Sequence, residues 1–122
     1  AGGDPPPAGE RIEMTDGDEA IARDDLGMAL GGVRNPLIDV PVFVPIGDRV
    51  TAGETLSGGD ICALMGSTRV LDAAELAELH GTADDYVDAF SSSADAMVDA
   101  GFLLAPDAEG LVAEAEENRT RF

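Results

Sequence analysis

From Asp72 onward, polar and apolar positions alternate at helical spacing. The clearest run is residues 83–100. There Tyr86, Val87, Phe90, Ala94 and Met97 fall on one side, and Asp84, Asp88, Asp95 and Asp99 on the opposite side. Thr82 is placed to cap this helix and Gly101 to end it. Ahead of it, Asp72 followed by Glu75 has the spacing of a capping box. That pair opens a helix running to about His80, with Leu76 and Leu79 inward and Gly81 as its stop. Pro106 starts a third helix reaching about Asn118, with Leu111, Val112 and Ala115 inward. The pattern holds no internal repeat and no sustained heptad.

Before Asp72 the periodicity changes and weakens. Residues 1–10 form a proline-rich connector, because Pro5, Pro6 and Pro7 fix φ and remove backbone donors. Residues 11–23 read as a small hairpin turning at Asp16-Gly17, which places Ile12 opposite Ile21. The glycines of residues 24–35 argue against regular structure, and Gly31-Gly32 points to a tight turn or a close backbone approach. Residues 36–50 are rich in β-formers, but Pro36, Pro41 and Pro45 restrict them to an edge strand or an extended segment. Residues 51–68 are Gly-rich and loop-like, with a short apolar turn at Ile61–Met65. The chain thus divides into a connector (1–10), a hairpin and extended or loop segment (11–68) and a helical segment (69–122).

Composition alters this picture in two ways. Apolar residues make up 44% of the 122 residues, enough for one core, but aromatics are only 4%, so packing falls mainly to Ala, Val, Leu, Ile and Met. The charge is lopsided: 25 acidic residues against 7 basic ones, all Arg, give a net charge of -18. Such a field repels phosphate backbones and anionic lipid, so nucleic acid and membrane surfaces are poor partners. The bland reading is a solvated acidic surface that keeps the protein soluble. Self-repulsion at this charge weakens the compact state until counterions screen it. The melting temperature is therefore expected to rise from low salt to molar NaCl. A flat thermal-denaturation response across that range would remove self-repulsion as a factor.

Candidate chemistry is sparse. The one cysteine, Cys62, lies in an apolar run and reads as a small buried hydrophobe. No stretch has the length of apolar sequence that a membrane span needs, and no signal-peptide pattern opens the chain. Its start at Ala1 rather than Met is read as a chain processed or cropped from a longer one. A Ser-His-Asp site needs a serine beside a positioned histidine. The one histidine, His80, sits near a helix C-terminus, where a structural role fits. No G-x-S-x-G elbow is present, and neither Ser57 nor Ser67 has its flanking pattern. One Cys and one His build no zinc site, and the Asp-rich stretch 16–25 lacks the calcium-hand loop. A weak cation site is conceivable at Asp24-Asp25 or on the aspartate face of the second helix, but no metal and no cofactor is expected. Arg34, followed closely by Asp39, is the residue pair to watch. It reads as a guanidinium clamp on an irregular loop, with contact to substrate as the functional alternative.

Several segments together resemble the C-terminal region of the alpha/beta hydrolase domain-containing proteins. They are Gly31 to Pro36 with Asp39-Val40-Pro41, Cys62 to Thr68, the Leu-rich and Tyr-containing helices, and Ala100-Gly101-Phe102-Leu103-Leu104. The proline-rich opening also looks like the connector of that family. The chain departs from it at Arg69-Val70, where the family commonly has Pro-Phe, which puts some apolar packing there in question. The resemblance implies an α+β segment of an α/β-hydrolase, with an irregular hairpin and extended N-terminal half and three helices in the C-terminal third. It implies a serine hydrolase of esterase type whose nucleophile, acid and histidine lie upstream. No catalytic residue is carried over to this chain, because no position matches those motifs. The expected partner is that upstream catalytic portion, in the same or a separate chain. The alternative from another class is a free-standing acidic interaction domain that binds a basic protein through its aspartate face.

Overall fold

The computed structural model describes residues 3–5, 7–15, 17, 20–46 and 66–122. Along them run α1 (Pro36–Asp39), β1 (Phe43–Ile46), β2 (Ser67–Val70), α2 (Ala73–His80), α3 (Ala83–Asp99), α4 (Ala105–Glu117) and a 3-10 turn at Asn118–Arg121. The expected turn at Ile61–Met65, with Cys62, and the loop carrying Ser57 lie outside the described residues.

Local chemistry explains where the helices start and stop. At α2, the Glu75 amide donates to Asp72 Oδ1 at 2.9 Å and the Asp72 amide donates to Glu75 Oε2 at 2.9 Å. At α3, Asp85 and Thr82 repeat the exchange at 3.1 and 2.9 Å. Each box satisfies two amides that would otherwise lack partners. Gly81 stops α2 at φ 85°. After α3, the Phe102 amide donates to Met97 O and the Gly101 amide to Val98 O, both at 3.0 Å. That is a Schellman ending, and it needs the left-handed backbone that Gly101 supplies at φ 82°.

The apolar face of α3 is the centre of the core. Tyr86, Val87, Phe90 and Ala94 are buried, while Asp84, Asp88, Asp95 and Asp99 stay exposed. Against them pack Leu76 from α2, Ala115 from α4, and the alternating stripe Val40, Val42 and Val44 that leads into β1. Val44 is buried within β1, whereas the residues of β2 are half-buried or exposed. A two-stranded sheet is marginal alone, and this one is held by the apolar stripe packed on the helices. The two strands pair antiparallel, from Phe43↔Val70 to Ile46↔Ser67. Among the described residues, no helix is long and apolar enough to cross a membrane.

Four expectations are corrected. Pro36–Asp39 is a helical turn rather than extended, because Asn35 accepts the Ile38 amide and Pro36 sits at its start with φ already suitable. Ser67–Val70 is a strand, although Ser67 and Thr68 were expected in a loop and Arg69 and Val70 in the helical segment, because β1 supplies a partner distant in sequence. Leu79, expected inward, is 46% exposed, while Leu76 takes the buried position of α2. In the hairpin, Ile21 lies opposite Met14, and Ile12 lies opposite Gly31.

That last shift has a structural cause. Three short segments close a ring of backbone hydrogen bonds. Glu13 donates to Leu30 O, Leu30 to Ala22 O, and Ala22 to Glu13 O, each at 2.9 Å. Each segment therefore serves two neighbours, which a simple hairpin does not. Gly31 and Gly32 adopt φ 69° and 68° at the crossing, as a close approach requires. The ring turns the chain so that Asp24 and Arg34 come to the same side.

Candidate functional site

Arg34 leaves the ring just after its paired glycines and just before α1. Its Nη1 donates to Ala29 O at 2.6 Å, and its Nη2 donates to Asp24 Oδ2 at 2.9 Å and to Ile38 O at 3.3 Å. Its Nε lies 3.8 Å from Asp39 Oδ1, an ion pair beyond hydrogen-bond range. One planar guanidinium thus ties the turn at residues 24–29 to the helical turn at 36–39. Lys, with a single ammonium, offers no such fork. Asp24 is held from its other side as well, since Oδ1 accepts the amides of Leu26 at 3.0 Å and Met28 at 2.9 Å. Both oxygens of Asp24 are engaged, so a cation at Asp24-Asp25 would sit against the charge of Arg34.

Partial burial works to raise the Asp24 carboxyl. Hydrogen bonds from Arg34 and from the Met28 and Leu26 amides, with the charge of Arg34, outweigh it and hold the carboxyl below its ordinary value. A carboxylate held low in the folded chain adds stability that is complete above its unfolded pKa. That stability is lost as pH falls through the folded pKa. Arg34→Gln is expected to destabilise the chain near neutral pH by about 1.5–3 kcal/mol, the range for hydrogen bonds to charged groups. The gap from wild type should narrow as the pH falls below about 4 and on through the lower folded pKa, where Asp24 takes up a proton and Arg34 loses its charged partner. Thermal melts of both proteins at neutral and acid pH measure it. A gap that stays constant into acid would assign the loss to the carbonyl contacts alone.

Asp39 faces the helices. Its Oδ2 accepts the hydroxyl of Ser93 on α3 at 2.9 Å, which fastens α1 to α3. His80, the last residue of α2, puts Nε2 at 2.7 Å from Pro41 O. A carbonyl only accepts, so Nε2 carries a proton. The imidazole packs beside Tyr86 and Phe122, with ring centroids 5.3 and 6.3 Å away. Among the described residues, no hydroxyl hydrogen-bonds His80 and no imidazole meets Ser93, so neither forms a nucleophile–base pair.

These residues share an open cleft of about 350 Å³. Asp24, Asp25, Arg34, Asp39 and His80 stand around a floor that includes Leu26, Ile38, Val40 and Leu79. Arg34 and Asp39, the pair singled out in the sequence, therefore lie together on one wall. Sequence reasoning missed His80 and Leu79 as neighbours of that wall, since Pro41 and His80 are 39 residues apart. Among the described residues, no group of three or more His, Cys, Asp or Glu could hold a metal ion. On the aspartate face of α3, Asp84 pairs with Arg119, which also binds Glu116. The two carboxylates raise the Arg119 pKa above its ordinary value. At Arg69, where apolar packing was in question, the guanidinium instead binds Glu75 Oε1 at 2.6 Å, while Val70 is exposed.

The arrangement can bind and orient a small group between polar walls and an apolar floor. No curated protein and no solved structure matches the chain. Residues 1–113 match the family described as an alpha/beta hydrolase domain. That span takes in the ring, the cleft, α2, α3 and most of α4, and on it the chain belongs to the alpha/beta hydrolase family.

Proposed function

We propose that this chain is the C-terminal structural part of a serine hydrolase of esterase type. In this reading it completes the core of a hydrolase domain and contributes one wall of the substrate pocket. The nucleophile, the acid and the catalytic histidine come from polypeptide outside these residues. The observation that carries the reading is the fate of the one histidine. It belongs to a chain of hydrolase family, yet its Nε2 donates to Pro41 O, its ring packs on Tyr86 and Phe122, and among the described residues no hydroxyl hydrogen-bonds it. A general base needs the attacking hydroxyl within hydrogen-bond reach of its unprotonated nitrogen.

Arg34 and Asp39 are the pocket residues of this proposal, and they act through position. The guanidinium already donates three hydrogen bonds, to Ala29 O, Asp24 Oδ2 and Ile38 O, so in this reading it mainly holds the wall in place. The apolar floor of Leu26, Ile38 and Val40 suits the hydrocarbon part of an ester.

The test uses the chain alone and the native material. The purified chain is expected to hydrolyse p-nitrophenyl acetate no faster than buffer, and to show no mass increase after treatment with a fluorophosphonate. Native material is expected to carry this segment within a longer or tightly associated chain that does both. Turnover by the isolated chain that is lost on substitution of His80 or of one of its serines, or a fluorophosphonate adduct on one of its own side chains, would overturn the proposal.

A further inference from the structure

We draw no further inference here: the strongest candidate, the exposed apolar face that Ile12, Met14 and Ile21 form on the bridged segments of residues 11–23, carries nothing because no contact in the structure shows what covers it.

Discussion

Phe90→Ala is expected to lower the melting temperature by roughly 12–20 °C, a loss of about 3–5 kcal/mol at about 4 °C per kcal/mol for a chain of this length. Phe90 is 1% exposed and sits in the middle of the apolar face of α3. Its ring lies 5.9 Å from that of Tyr86, one helical turn before it, at a tilt of 55°. Truncation removes buried apolar surface, leaves a cavity and breaks that aromatic pair. One effect opposes the loss, because alanine is the better helix former, by about 0.5 kcal/mol. Cavity and transfer terms exceed that gain several-fold, so the sign is not in doubt. Asp88→Ala on the exposed face of the same helix makes the same propensity gain with no cavity, and should shift stability by no more than about 0.5 kcal/mol. Phe90→Leu refills part of the space and should fall between the two. Equal melting temperatures for Phe90→Ala and Asp88→Ala would remove α3 from the centre of the core.

The contrast between those two faces also explains what was legible beforehand. Helices α2, α3 and α4 announce themselves through signals within a few residues: Asp72 with Glu75, Thr82 with Asp85, Gly101 after Asp99, Pro106 near the start of α4. Capping and helical periodicity are local, so neighbouring residues alone determine them. The N-terminal half depends on partners distant in sequence. Ser67–Val70 is too short to announce itself and becomes a strand because Phe43–Ile46 lies alongside. The turn signal alone set Ile12 opposite Ile21, but the third segment claims Ile12 through Gly31 and leaves Met14 opposite Ile21. Pro36 shows a different kind of miss. Its signal was present, Asn35 as cap and proline at the first helical position, but the spacing of the prolines argued louder for an extended run.

The candidate site divides along the same line. Arg34 and Asp39 stood out because a cation beside paired glycines and prolines needs anchoring, and Arg34 binds Ala29 and Ile38 close by in sequence. Asp24 was noticed only as an acidic neighbour of Asp25, and its role as the counter-charge of Arg34 depends on the backbone ring. Ser93 reaches Asp39 across 54 residues and His80 reaches Pro41 across 39, so neither contact leaves a local trace. The irregular half of the chain therefore brings together the residues of the cleft, while the regular half supplies the surface on which it rests.

That dependence makes Gly31 the sharpest test of the ring. Gly31→Ala is expected to destabilise the chain by about 2–4 kcal/mol, from two separate terms. The backbone at φ 69° disfavours any Cβ, at roughly 1–2 kcal/mol. A Cβ there would also lie 2.6 Å from the Arg11 carbonyl oxygen and 2.9 Å from the Glu13 amide nitrogen. Backbone has little room to yield, so relief would stretch the Glu13–Leu30 or the Gly32–Arg11 hydrogen bond, at about 0.5–1.5 kcal/mol each. Gly27 separates the terms, since it has φ 84° and nothing within 4 Å of its added Cβ. Gly27→Ala should show the conformational cost alone. Gly110, inside α4 with open space around it, should reverse the sign, because alanine there gains about 0.5–1 kcal/mol of helix stability. Chemical denaturation of the three variants gives the order Gly110→Ala, Gly27→Ala, Gly31→Ala from most to least stable. If Gly31→Ala and Gly27→Ala lose the same amount, the segments at Arg11–Glu13 and Gly31 do not meet, and the ring that positions Arg34 against Asp24 is absent in solution.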